Sequence, residues 1–511
     1  MPALQPAGKE NRAAGPGGAS PGKCYPVKSC SRFGGERFDG PVTSLLPGQA
    51  RYTRRGRRPG DGGRPLFLEC GRLYRPGHML GDFRVVMLEN GTRVHLMPTD
   101  RFRTLTVRAY LQHRLEPGTH TEIALVTRLV GRGCRRWPTA QALARHLDSL
   151  YGTAAGSGVG KNGMVQLAYF HMEMPAEAYL PAGASVTGPA LATLGQLMTA
   201  PLIHDDAFPQ DVVAQEASYL ARDIRGLIND RTRYSVLRCT EEMCRNGPQG
   251  LSELGRLEDL ENQDPRKLYR RYRELLDHGP MDVFAVGPMP AGTGELLLTT
   301  FDFPRHPLPV EAGAVPPRPA SGVRQVVEEL DIGQARLCLG LRYGIPPGHP
   351  DHYALLMYDG ILGGFPHSKL FMHIRELAGF SYDVWSFVYT ALGFQYVVAG
   401  VSPDHHRQVI DIIEEQRRQL AQGEVSGHEL ESTRAALVGR ARAVRDSPAR
   451  MIGASYAGLL NGRIDSPEEQ VAFLHEVKLD DVVRVAQSVE LDTVYLLAPG
   501  GGGTSAPADP S

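Results

Sequence analysis

Three things are missing from this 511-residue chain: a charge of one sign, an apolar run of membrane length, and cysteines at paired spacing. Lysine plus arginine number 56 and aspartate plus glutamate 56, so no whole-chain field draws it to nucleic acid. No segment approaches the apolar length of a membrane span. The start, Met1-Pro2-Ala3-Leu4-Gln5-Pro6, runs into glycine, proline and charge with no apolar signal core. Cys24, Cys30, Cys70, Cys134, Cys239, Cys244 and Cys338 are scattered, which suits reduced thiols better than a disulfide framework. A cytoplasmic protein with no membrane and no nucleic-acid partner is expected. No His-x-x-Glu-His occurs in either direction, and no Gly-x-Ser-x-Gly elbow, P-loop or dinucleotide fingerprint rises above background. Gly156–Gly163 is glycine-rich, yet it follows a helical pattern and leads into a strand, the wrong order for a P-loop; a hairpin or a substrate-facing loop is expected there. With 17 histidines, the pairs His349/His352 and His405/His406 need no ligand role. Neither metal nor cofactor is expected.

A chain of this length exceeds one ordinary core. Residues 1–80 are rich in Gly, Pro and Arg and bury too little apolar surface to fold, so they are expected to be disordered. The run Arg51-Tyr52-Thr53-Arg54-Arg55-Gly56-Arg57-Arg58 within them would suit an acidic partner, but a solvated tail needs none. Ordered sequence begins near Asp82. Glu89-Asn90-Gly91-Thr92 between apolar runs predicts a hairpin. Strand patterns follow at 105–111, 165–174 and 281–286, and helical patterns at 122–130, 139–150, 187–199, 209–228, 232–245 and 264–276. A Pro-rich linker over 304–322 separates a second run of similar order. There, strands are predicted at 335–343, 385–389, 394–401 and 493–497, and helices near 350–361, 367–378, 405–421, 427–444, 448–460 and 479–488. The repeated order predicts a duplicated α+β domain, each copy a mostly antiparallel sheet with helices packed on one face. The copies span 81–303 and 323–500, and residues 501–511 form a disordered tail.

The run Gly363-Gly364-Phe365-Pro366-His367-Ser368-Lys369-Leu370-Phe371-Met372-His373-Ile374-Arg375-Glu376-Leu377-Ala378-Gly379-Phe380-Ser381-Tyr382 carries the most information. It resembles the C-terminal signature of insulinase/pitrilysin-type zinc peptidases, and the likeness of plan covers nearly all the ordered chain. The resemblance implies two homologous domains in a clam-shell arrangement. It also implies a zinc helix upstream, with two His at i and i+4 and a Glu that activates bound water. The corresponding helix here places Leu125 and Leu129 where the His would stand and Arg128 where the base would stand. No His occurs between 121 and 145, so no slip of register restores the ligands. Glu216 and Asp223, seven apart, match the family's later acidic pair; exposed helical carboxylates are also common without such a history. The family's Arg and Tyr, which reach the substrate backbone at the zinc, correspond to Arg375 and Tyr382. Guanidinium and phenol suit that task, though a snorkelling Arg and a core Tyr would look the same in sequence.

Several enzymes of this type are heterodimers, one subunit carrying zinc and the other a retained Arg/Tyr pair. The chain is similar to the zinc-less member of the bacterial pairs. Arg132-Gly133, Pro138-Thr139, Leu150-Tyr151-Gly152, Asn229-Asp230-Arg231 and Tyr234 resemble the elongation factor P aminopentanol modification-associated branch. The resemblance implies a zinc-bearing insulinase-family paralogue as partner and a peptide or unfolded polypeptide as ligand. A stand-alone binding or scaffold protein is the other reading. The composition of residues 1–80 leads to one prediction: a chain beginning at Met79 should melt at the same temperature as the full chain. A drop of many degrees would show that the extension packs on the core.

Overall fold

The computed structural model describes residues 79–245, 247–310 and 322–500. The expected disorder of 1–80 (apart from Met79 and Leu80) and of 501–511 falls outside them, as do residues 311–321 of the linker. The first half runs β1 (Met79–Leu80), β2 (Phe83–Met87), β3 (Arg93–Pro98), β4 (Thr104–Arg114), α1 (His120–Gly131), α2 (Ala140–Ser149), β5 (Ala154–Asn162), β6 (Val165–Pro175), α3 (Thr187–Thr199), α4 (Gln210–Gly226), α5 (Arg231–Met243), α6 (Pro265–His278), β7 (Met281–Gly287) and α7 (Thr293–Phe301). The second half runs β8 (Arg324–Leu330), β9 (Ala335–Arg342), α8 (His352–Asp359), β10 (Ser381–Tyr389), β11 (Phe394–Val401), α9 (His406–Ala421), α10 (Gly427–Ala443), α11 (Pro448–Leu460), α12 (Pro467–Glu476), α13 (Leu479–Ser488) and β12 (Glu490–Pro499).

The duplication is explicit in the sheets. Sheet 1 has the order β1-β2-β3-β7-β4-β6-β5 and sheet 2 the order β10-β11-β9-β12-β8. Read from opposite ends, β3-β7-β4-β6-β5 matches β8-β12-β9-β11-β10. The parallel pair is β3/β7 in one and β12/β8 in the other. The remaining pairs are antiparallel in both. The Asn90-Gly91 hairpin forms between β2 and β3. Gly91 takes φ +79 there, and the Asn90 amide donates to the Phe301 and Phe303 carbonyls at 2.8 and 2.9 Å.

Strand alternation sends Val94, Val107, Ala109, Phe170, Met172 and Val283 into a core shared with α1, α3, α4 and α6. A second core of the same kind lies between sheet 2 and its own helices. The expected one-faced packing is thus present, but each sheet also carries one helix of the opposite half on its second face. Met451, Ile452 and Tyr456 of α11 pack on Phe83, Tyr110, Leu167 and Phe284 of sheet 1. Cys239 and Met243 of α5 pack on Cys338, Phe394, Tyr396 and Tyr495 of sheet 2.

Under α11 lies a buried polar knot. Asp282 on β7 accepts from Arg93 Nε at 2.7 Å and Gln112 Nε2 at 3.2 Å, and lies 2.9 Å from His95 Nε2. Burial alone would raise this carboxyl; the Arg93 charge and the His95 hydrogen bond outweigh it and bring it down to about 2. That value lies below the unfolded one, so falling pH loads a proton onto the unfolded chain first. The stability tied to Asp282 is therefore complete above about pH 4 and lost as pH falls towards 2. We predict that Asp282→Asn destabilises by about 3–5 kcal/mol at pH 7, the range for breaking a buried pair. The gap to the native chain should shrink by on the order of 1 kcal/mol at pH 3. Denaturant titrations at both values check it, and an unchanged gap would mean that the charge of Asp282 is not what the fold uses.

Candidate functional site

Helix α1 is held against the edge strand β5 at close range. The Ser157 hydroxyl donates to the Thr127 carbonyl at 3.0 Å, and a Cβ at Gly131 would stand 1.9 Å from that hydroxyl. Glycine at 131 is what lets the helix lie so near. Within α1, Leu125 and Leu129 are buried, at 0 and 4 % exposure, and belong to the core. They offer no lone pairs and face no solvent.

Arg128 faces α4. Its Nε lies 3.3 Å from Glu216 and its Nη1 2.8 Å from Asp223. Arg132, one turn on, reaches the other Glu216 oxygen at 2.7 Å. Glu216 is thus a buried carboxylate between two guanidinium groups. Residues four apart on α1 and seven apart on α4 share a face, so both pairs meet across one helix–helix contact. Sequence reasoning placed Arg128, Glu216 and Asp223 at the site and named Arg132 only among the branch features; its i+4 spacing from Arg128 was the available signal. The cluster is one of fixed charges, two cations and two anions, with no open nucleophile and no imidazole. Among the described residues, no three His, Cys, Asp or Glu side chains are grouped as a metal ligand set.

The glycine-rich signature lies in the second half. After α8 the helix widens to π winding over Gly360–Gly364, and a second π-wound segment covers Phe371–Leu377. A Cβ at Gly363 would stand 2.7 Å from the Ser386 backbone nitrogen, so this turn packs directly on β10. On ordinary helical spacing Leu370, Ile374 and Leu377 of the helix predicted near 367–378 would share one buried stripe. Leu370 and Ile374 are fully buried, but Leu377 is 72 % exposed. The wider winding rotates the last turn, and Ala378 donates to His373, five residues back. Gly379 then stops the segment with φ +66.

Arg375 is exposed, its guanidinium 3.4 Å from Glu376 and 4.6 Å from the Phe371 ring centroid. Tyr382, on β10, is 85 % exposed, and Trp385 shares its edge strand at 40 %. No hydrogen bond or ion pair among the described residues joins Arg375 or Tyr382 to the Arg128 cluster. The two groups stand in different halves, and the chain brings together the α1/α4 residues only.

Residues 265–437 match the family model described as the peptidase M16 inactive domain. A Bacillus subtilis (strain 168) protein named "Probable inactive metalloprotease YmfF" is 27 % identical over 411 residues, which is 80 % of this chain and 96 % of that protein. A second protein of that organism, "Uncharacterized zinc protease YmxG", is 25 % identical over 189 residues, 36 % of this chain and 46 % of its own. Among solved structures, a conserved protein from Enterococcus faecalis V583 superposes with a TM-score of 0.76 at 24 % identity, over 83 % of this chain and all of that one. A protease from Helicobacter pylori does so with 0.68 at 15 % identity, over 82 % of this chain and all of its own. These superpositions concern the fold.

The α1/α4 cluster makes a prediction of its own. Arg128→Ala should destabilise by about 1–2 kcal/mol, because Glu216 keeps Arg132. Arg128→Ala with Arg132→Ala should cost about 3–5 kcal/mol, more than the sum, since a buried carboxylate then has no partner. Denaturant unfolding of the three variants checks this; strict additivity would show that the two arginines do not share Glu216.

Proposed function

This chain belongs to the M16, or insulinase-type, peptidase family, and from that premise we propose that it is the non-catalytic, peptide-binding subunit of a heterodimeric zinc peptidase. One observation carries the reading: where a zinc peptidase of this family needs its His ligands and base, this chain has buried Leu125 and Leu129 and an Arg128 already paired to Glu216 and Asp223. A guanidinium held by two carboxylates repels a divalent cation from that place. Similarity to a protein named as probably inactive supports a non-catalytic role. The partner is the finer part of the proposal, and it would be a family paralogue carrying His-x-x-Glu-His. Residues 81–303 and 323–500 would act as two domains across the linker 304–322. The comparisons reach the family and stop short of the narrower elongation factor P branch. No helix among the described residues is long and apolar enough to cross a membrane.

In this reading Arg375 and Tyr382 are the working surface. Both are exposed, and Arg375 is tied only to its neighbour Glu376 and to the Phe371 ring, so each is available to a second chain. The guanidinium would clamp a substrate carbonyl at the partner's zinc, and the phenol would hydrogen-bond the oxygen that becomes negative. The experiment is a peptide-cleavage assay on the purified pair. Arg375→Ala should lower turnover by about 10²-fold, the scale of losing one oxyanion donor, and Arg375→Lys should recover little. Stability should move by no more than about 1–2 kcal/mol. Unchanged turnover would sink the assigned roles, and failure to co-purify with any zinc-bearing paralogue would favour a stand-alone scaffold.

A further inference from the structure

A row of polar side chains lies on the second face of sheet 1, next to the part that α11 covers. Thr106, Arg108 and Tyr110 alternate along β4, and Glu173, His171 and Tyr169 stand opposite them on β6. The residues between, Val107 and Ala109 on one strand and Phe170 and Met172 on the other, enter the helix-side core. That places the polar row on the other face. The neighbouring strand β5 offers glycine on this face. A Cβ at Gly156 would stand 2.4 Å from the His171 ring, and one at Gly158 2.5 Å from the Tyr169 hydroxyl. Both rings therefore lie over β5. Gly160, the next position on the face, borders open space.

Arg108 differs from several part-buried arginines in its ion pairing. Arg93, Arg271 and Arg342 each face a carboxylate. Arg108 has none within ion-pair distance among the described residues; it donates to the Tyr110 hydroxyl at 3.3 Å and lies 5.3 Å from the Tyr169 ring centroid. Its Nε, the Thr106 hydroxyl and His171 Nδ1 are buried without a hydrogen-bond partner. Glu173 acts on Arg108 only from beyond ion-pair distance; a part-buried cation with no carboxylate in contact is expensive, and orphaned polar atoms in a native fold call for a reason.

We propose that this row is a binding site for a carboxylate. Arg108 supplies the charge, and the Thr106, Tyr169 and His171 groups supply the remaining donors. Burial, with Arg108 beside it, pushes the His171 imidazole down to about 4, so it is neutral at physiological pH. One cation matches one monoanion. Glu173 at the exposed rim, whose charge Arg108 also feels, repels any anion and disfavours a dianion such as phosphate more than a monoanion. The carboxylate of a polypeptide and that of a small acid share this chemistry. The site stands apart from the subunit reading and needs no partner chain.

The test is calorimetric titration of the full chain with acetate, N-acetyl-trialanine, its C-terminal amide and inorganic phosphate. The free acid should bind and the amide should not. Trialanine acid binding at least about tenfold tighter than acetate assigns a polypeptide end, whereas equal affinities assign a small acid. Arg108→Gln should weaken acid binding at least about tenfold, the scale of a charged hydrogen bond. Its melting temperature should hold or rise, because an uncompensated charge is removed; a structural arginine would do the reverse. If that variant melts early, His171→Gln decides, since it keeps Arg108: weaker acid binding supports the site. Equal affinity for acid and amide, no binding at millimolar acid, tighter binding of phosphate, or unchanged affinity in both variants would each overturn the proposal.

Discussion

The constraint on which the rest of this structure depends is the second face of each sheet. A sheet covered by helices on one side leaves an apolar surface on the other. Here neither half closes that surface with its own helices. Sheet 1 takes α11 from the second half, with Tyr456 stacked on Tyr110 at 4.1 Å between ring centroids. Sheet 2 takes α5 from the first half, where the Thr240 hydroxyl meets the Tyr396 hydroxyl at 2.7 Å. Each half thus lends the other one helix, and the two sheets are fixed against each other through two reciprocal contacts. The Asp282 knot sits under one of them, so its charge is shielded only when both halves are in place.

The α1/α4 cluster shows how a helix contact can be held by charge. Carboxylates on α4 need positive charge opposite them. In this chain Arg128 and Arg132 provide it, and they are covalently part of the fold. The contact then has no dependence on metal supply, and its geometry is set by side chains alone. Leu125 and Leu129, on the same helix, fill the space towards the core.

Much of the architecture was legible because its signals are local. Asn90-Gly91 marks a hairpin whatever surrounds it, and the long amphipathic stretches at α4, α6 and α9 announce themselves by period. Other elements were hidden. Strand β8 reads Arg-Gln-Val-Val-Glu-Glu-Leu, without clear alternation, because Glu328 is satisfied by Tyr234, Arg238 and Tyr495, all distant in sequence. Helix α12 carried a capping box, Ser466 with Glu469, that the reading passed over. The π winding at 371–377 could not be read from period at all, and it moved Leu377 from the expected core to the surface. At the candidate site, the residue types were legible and their meeting was not, since Arg128 and Glu216 lie far apart in sequence and only packing brings α1 to α4.

The interior position of two late strands has a consequence for how the chain is made. β7 lies between β3 and β4, and its Asp282 pairs with Arg93, 189 residues earlier. β12, the last strand described, lies between β8 and β9. Neither sheet can close from its early strands, because β7 and β12 are each synthesised after both strands that flank them. Emerging β2, β3 and β4 must wait on the ribosome with an open seam, and β8 and β9 wait in turn for β12. Non-local pairing of this kind is slow, and unfilled strand edges are prone to wrong partners. Vectorial synthesis thus exposes this protein longest at the places where its sheets are finally most buried.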